Sequence, residues 1–243
     1  MRRFLPLRNL VPLLAVLAMV SCVVRMSNNA VNGSGVSRTE SRNLATFDRV
    51  RLDGAADVTV TIGGQTSVTV TGDDNILPLV ETTVSDGRLI VGSRESYRAK
   101  TPVKVAVTVP SLAGLELNGS GRGTVDGTLT GKQFKAAIHG SGDLRIEQVK
   151  LERLDVSIAG SGDVSAAGTA DAVQVSISGS GDVRLADVAA RSAVVDVGGS
   201  GGATVQASDT LRVRISGSGD VRYRGRPTIE SSVAGSGQVA PAD

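Results

Sequence analysis

From about residue 113 onward, apolar and polar residues alternate in short runs that return every 18 to 21 residues. Three positions before a recurring serine stand Leu117, Ile138, Ile158, Ile177, Val197, Ile215 and Val233. Five before it stand Leu115, Ala136, Val156, Val175, Val195, Val213 and Ser231, and seven before it Ala113, Phe134, Leu154, Val173, Ala193, Leu211 and Ile229. After the serine the alternation resumes with Leu144, Val164, Val183, Ala203, Val221 and Val239, Gly123 filling this row in the first copy. Two residues on come Val125, Ile146, Ala166, Leu185, Val205 and Tyr223. A period of two marks a strand with one buried face. Each unit therefore predicts strand, corner, strand.

The corner is a Gly-Ser-Gly triplet that occurs seven times: Gly119-Ser120-Gly121, Gly140-Ser141-Gly142, Gly160-Ser161-Gly162, Gly179-Ser180-Gly181, Gly199-Ser200-Gly201, Gly217-Ser218-Gly219 and Gly235-Ser236-Gly237. A sharp bend between strands calls for φ > 0, which glycine reaches without a Cβ clash, and glycine lets stacked corners approach closely. Self-similarity near 20 residues means one supersecondary unit stacked on copies of itself. Length varies in one place only. The gap between the row of Val125 and Ile146 and the next row of Phe134 and Leu154 runs 9, 8, 7, 8, 6 and 6 residues, while the rest of the unit is a constant 12. Two rigid sides and one loose side describe a solenoid. An array of hairpins would reverse alternate units and would not repeat one corner. The expected fold is all-β: a parallel β-helix of about 20-residue coils, equivalent residues lying about 4.8 Å apart.

Upstream, Val50, Leu52, Gly54, Asp57, Val58 and Val60 fit the same template with Ala55 in the serine position, a degenerate first coil. Next come signals for a hairpin-rich N-terminal cap. Gly63-Gly64 turns between Val58–Ile62 and Val68–Val70, Asp86-Gly87 turns before Leu89–Val91, and Val103–Val109 makes a strand stopped by Pro110. Such strands would shield the open edge of the first coil. Pro241 ends the last alternating run and would block strand addition there.

The start of the chain has another character. Arg2, Arg3 and Arg8 precede an apolar run, Leu10–Val20, that is short for a membrane span and ends in Met19-Val20-Ser21-Cys22. Residues 1–21 read as a lipoprotein signal peptide and Cys22, the only cysteine, as its lipidation site; an ordinary secretory signal with an incidental cysteine is the alternative. Residues 22–45, rich in Ser, Asn and Gly, read as a flexible tether, and 46–243 as one folded domain. Met19-Val20-Ser21-Cys22 resembles a bacterial lipobox, and by that resemblance Val23, where inner-membrane lipoproteins carry aspartate, implies an outer-membrane destination in a cell with two membranes. The localisation expected is an exported protein of the cell envelope, joined to a membrane by a lipid anchor.

The composition is 40% hydrophobic but 2% aromatic, which suits a thin coil interior. The formal charge is +2, and without the three early arginines it is −1, so nothing argues for a nucleic-acid partner. The most ordered polar feature lies two residues after each serine: Arg122, Asp143, Asp163, Asp182, Gly202, Asp220 and Gln238. Stacked carboxylates would repel by about 1 kcal/mol each in water. Arg145, Arg184 and Arg222 follow three of the four aspartates by two residues, which reads as a self-compensating charged face with the aspartates also bonding corner amides; a sugar- or Ca²⁺-binding surface ladder of Asp143, Asp163, Asp182 and Asp220 is the sharper alternative. The seven serines lack a general base and read as a hydrogen-bonding corner column. His139 is the only histidine, sits at a tolerant outward position and cannot build a metal site alone. No catalytic residue, metal ligand or cofactor motif stands out.

Phe47-Asp48-Arg49-Val50, Asp57-Val58-Thr59-Val60, Asp86-Gly87-Arg88-Leu89-Ile90-Val91 and the strand to Pro110 leading into Asn118-Gly119-Ser120-Gly121 resemble the putative auto-transporter adhesin, head GIN domain family. The resemblance implies a right-handed parallel β-helix in the bacterial envelope and an adhesin-like role, and supplies no catalytic residues. Flat, repetitive surfaces suit a repetitive polymer such as polysaccharide, or another envelope protein. A carbohydrate-active enzyme is the alternative, with Glu147, Lys150, Glu152 and Arg153 as the densest charges on the variable side. A structural assembly protein docking through residues 228–240 is a third reading.

Overall fold

The computed structural model describes residues 30–242. The signal segment and Cys22 lie outside that range. The chain opens with β1 (Val31–Asn32), β2 (Ser37–Arg42), β3 (Arg49–Gly54), β4 (Asp57–Ile62) and β5 (Ser67–Asp73). It continues through β6 (Val80–Ser85), β7 (Arg88–Ser93), β8 (Tyr97–Arg98) and β9 (Lys104–Val109). The coils follow as β10 (Gly114–Gly119), β11 (Gly123–Gly140), β12 (Leu144–Gly160), β13 (Val164–Gly179), β14 (Val183–Gly199) and β15 (Ala203–Gly217). The last are β16 (Val221–Arg224), β17 (Thr228–Gly235) and β18 (Val239–Pro241). One 3₁₀ turn, Leu77–Leu79, is the only helical element among the described residues.

From β3 to β18 the coils stack in parallel, and the register is the one the template predicts. Leu117 pairs with Ile138, Ile138 with Ile158 and Ile158 with Ile177. The first corner glycines pair Gly54–Gly119–Gly140–Gly160–Gly179–Gly199–Gly217–Gly235. Thus the degenerate coil built on Val50 and Leu52 is a true member of the stack. Ile138, Ile158 and Ile177 are 0–2% exposed, in one continuous interior with Phe134, Leu154, Val175 and Val195. The interior is aliphatic because each coil places one side chain per column, and a narrow coil has little room for rings.

The variable side differs from expectation. It is not a loose loop but strand, joined to its neighbours through register shifts such as Val125/Thr128, Ile146/Val149 and Leu185/Ala189. Bulges absorb the changing residue count, and Leu151, Ala170, Ala190 and Ala207 pair in register as a further buried apolar row.

The N-terminal cap is built as expected at β6–β7, an antiparallel hairpin turning at Asp86, the one non-glycine residue at positive φ among the described residues (51°). Elsewhere it is not. The strands on either side of Gly63-Gly64 do not pair with each other; β9 lies between them, parallel to β4 and antiparallel to β5. β4 belongs to the coil stack, and its free edge takes β9 because β9 offers a Val103–Val109 run in matching register.

The tether also needs correction. β2 pairs antiparallel with β5, and β1 pairs with β8, so residues from Val31 to Arg42 are part of the cap. Asp73 holds them. Its carboxylate is buried and accepts N–H bonds from Gly35 (3.1 Å), Lys100 (2.7 Å) and Thr101 (3.2 Å). A Cβ at Gly33 would stand 1.9 Å from Asp73 Oδ2, so glycine there is a requirement of contact. Burial pushes the Asp73 carboxyl up, but the bonds from Thr101, Lys100 and Gly35 outweigh it and hold the group below the usual carboxylate range.

Candidate functional site: the corner face

The corner stacks through main chain. Each first glycine sits at φ between +135° and +141°, and a Cβ there would come within 2.1–2.3 Å of the carbonyl oxygen of the glycine one coil earlier. The third glycine is required for contact alone. A Cβ at Gly142 or Gly162 would stand 2.2 or 2.0 Å from the Gly121 or Gly142 oxygen. The tight approach lets one carbonyl accept two donors. Gly119 O takes the Ser141 N–H at 2.9 Å and the Gly142 N–H at 3.1 Å, and the same pair recurs at every later corner.

The serine side chains do not join this network. All seven hydroxyl-bearing residues are exposed, and none of their hydroxyls has a protein partner among the described residues. Contrary to the expectation of hydrogen bonding by the serines, the column is bonded through its backbone, leaving a row of free hydroxyls.

Beside it runs a ladder of carboxylates. Asp57 Oδ1 accepts the Arg122 N–H (3.1 Å), Asp143 that of Asp163 (3.3 Å), Asp163 that of Asp182 (3.0 Å), Asp182 that of Gly202 (2.9 Å) and Asp220 that of Gln238 (2.9 Å). Each aspartate therefore caps the equivalent amide of the next coil, an amide the corner leaves without a carbonyl partner. Where the position holds Arg122 or Gly202, the next amide, Asp143 or Asp220, has no acceptor among the described residues.

The expected same-strand compensation is real at one arginine. Arg184 bridges Asp163 (2.9 Å) and Asp182 (3.4 Å), one rung from its own coil and one from the coil before. Arg145 and Arg222 form no ion pair among the described residues. Near the gap at Gly202 lies an open depression of about 350 Å³ lined by Asp182, Arg184, Ser200, Thr204, Ser218 and Arg222, among others.

The other candidates are dispersed. His139 is exposed on the adjoining face, beside a depression of about 250 Å³ that also touches Arg49, Arg88, Glu116 and Lys135. Glu147 caps the Gly127 N–H at 2.8 Å, and Arg153 pairs with Asp155 at 2.7 Å. Lys150 and Glu152 face a separate groove with Asp171 and Arg191. The charges weighed for an enzyme thus serve bulges and strand pairing rather than one cluster. No three His, Cys, Asp or Glu side chains among the described residues converge to hold a metal ion. Residues 228–240 carry β17, whose inward Ile229 and Val233 are 40% and 42% exposed.

The fold is a capped β-solenoid whose corner face carries an ordered polar row. The profile of the family described as "Putative auto-transporter adhesin, head GIN domain" matches residues 46–227, and the chain belongs to that family. Among solved structures, a putative adhesin from Bacteroides fragilis NCTC 9343 superposes with a TM-score of 0.82 at 24% identity, over 88% of this chain and 100% of that one. A putative lipid binding protein from Parabacteroides distasonis ATCC 8503 has a TM-score of 0.73 at 24% identity, with the same coverage of 88% and 100%. A putative adhesin from Parabacteroides merdae ATCC 43184 gives 0.69 at 24% identity, over 88% and 99%. At these identities the likeness is one of fold. No curated protein matches the chain.

Proposed function

We propose that this chain is an exported, lipid-anchored binding protein of the cell envelope that meets a repetitive saccharide polymer through its corner face. One observation carries the reading: the seven corner serines present free hydroxyls in strict register, beside charged groups fixed by the ladder. A column of donors and acceptors repeating at the strand spacing of about 4.8 Å suits a ligand that is itself a chain of similar units. The backbone already satisfies the corner, so the hydroxyls are not needed to hold the fold. The adhesin description of the family agrees with this role, and the Arg2–Cys22 segment supplies export and anchoring.

The test is a polysaccharide array probed with residues 30–243. Binding that falls when Ser161, Ser180 and Ser200 are replaced together by alanine, with the melting temperature unchanged, supports the reading. Absence of binding to any saccharide, or binding indifferent to the triple replacement, contradicts it.

A further inference from the structure

The gap at Gly202 leaves an amide unmatched, as the one at Arg122 does, but with no side chain at the missing rung. The Asp220 N–H has no acceptor among the described residues, whereas the amides above and below are capped by Asp182 and Asp220. A Cβ built at Gly202 would point toward Asp182 Oδ1 at 3.0 Å and Asp220 O at 3.5 Å, along the line of the ladder. The empty place is therefore that of a missing carboxylate side chain. Next to it, Arg184, Thr204 and Arg222 are in register on three successive coils. Arg184 and Arg222 both line the depression; the Arg184 guanidinium is turned back to Asp163 and Asp182, and Arg222 has no ion pair among the described residues. Ser200 and Ser218 border it with free hydroxyls.

Of the site's carboxylates, Asp182 accepts the Gly202 N–H and pairs with Arg184, and Asp220 accepts the Gln238 N–H through one oxygen. Among the described residues, its unpartnered donors are the Asp220 amide, the Arg222 guanidinium and the hydroxyls of Ser200, Thr204 and Ser218, against one unpartnered acceptor, the second oxygen of Asp220. Such a depression asks for an acceptor carrying negative charge. It is open and shallow, which fits one ring of a continuing chain better than a small molecule that must be enclosed.

We propose that the Gly202 gap is a subsite for the carboxylate of a uronic acid residue in an acidic polysaccharide, which replaces the missing rung of the ladder; this rests on the saccharide-binding role proposed above. The ligand carboxylate accepts the Asp220 N–H, as Asp163 accepts that of Asp182, and Arg222 balances its charge. The other gap differs, because its residue, Arg122, carries a long side chain where Gly202 has none.

The experiment titrates the protein with oligomers of galacturonate and of mannuronate, and with their methyl esters, by calorimetry and by the amide resonance of Asp220. Gly202→Asp supplies the rung from within the chain, and Arg222→Ala removes the free cation. The wild type is expected to bind a free-acid oligomer about tenfold or more tightly than its ester, the effect of one charge-assisted contact, with a shift at the Asp220 amide. Both variants are expected to lose that preference, and Gly202→Asp to melt about 2–4 °C higher. Free-acid preference retained in both variants overturns the subsite while leaving the broader reading in place. Binding of neutral saccharides with no preference for the acid does the same. No saccharide binding of any kind overturns both.

Discussion

Replacing Gly160 by alanine isolates what the corner contributes. At φ +141° an L-residue is strained by about 1–3 kcal/mol. The new Cβ would also stand 2.1 Å from Gly140 O, so the two coils must part by about 1 Å to reach even a tight contact. That movement weakens the bonds from Ser161 N–H (2.9 Å) and Gly162 N–H (3.3 Å) to the same oxygen. At about 0.5–1.5 kcal/mol each, they add about 1–3 kcal/mol to the strain. Gly54 is the internal control: its φ is +122°, but nothing lies within 4 Å of a Cβ there. Gly54→Ala should therefore show the strain alone, and Ser161→Ala, at an exposed hydroxyl, should change stability by less than about 0.5 kcal/mol. Urea unfolding followed by far-ultraviolet circular dichroism gives the three midpoints. Equal losses for Gly160→Ala and Gly54→Ala would refute the stacking argument. A Ser161→Ala loss as large as that of Gly160→Ala would refute the claim that the hydroxyls are free of structural duty.

Other outcomes follow from the same contacts. Asp163→Ala removes the cap of the Asp182 amide and one partner of Arg184; a loss of about 0.5–2 kcal/mol is expected from chemical denaturation, in the range of a helix cap. No loss would mean that the ladder is incidental. Asp73 is held below the usual carboxylate range when folded, so its stabilising effect is full above the unfolded value of about 3.9 and fades as pH falls through the folded value. Asp73→Asn should lower the melting temperature at pH 7 and flatten its fall below about pH 4; a parallel curve would contradict this assignment. Cys22→Ser should move the protein from the membrane fraction to the soluble one and abolish fatty-acid labelling, and unchanged fractionation would exclude the lipid anchor.

Most of the coil architecture was legible because it is written in columns. A buried position such as that of Ile138, Ile158 and Ile177 repeats one solution to one packing problem, so sequence spacing and spatial neighbourhood coincide. The cap was less legible for the opposite reason. β9 inserts between β4 and β5, a choice between edges that alternation alone does not decide. Residues 31–42 were hidden because their order comes from pairing with the distant β5 and β8 and from the Asp73 carboxylate, which their own weak apolar pattern does not announce. On the corner face, the aspartate column and its bonding of corner amides were legible, but which amide each carboxylate takes was not. The bond from each carboxylate to the next coil's amide depends on the stack, and so does the meaning of Gly202, which in sequence is one glycine among 30.

Amide hydrogen exchange of the folded protein, read residue by residue by nuclear magnetic resonance, tests the ladder and its gaps most directly. The amides of Asp163, Asp182, Gly202 and Gln238 should exchange slowly, each behind the carboxylate of the coil before, while those of Asp143 and Asp220 should exchange fast. Uniform protection across all six, or fast exchange at the four capped positions, would contradict it.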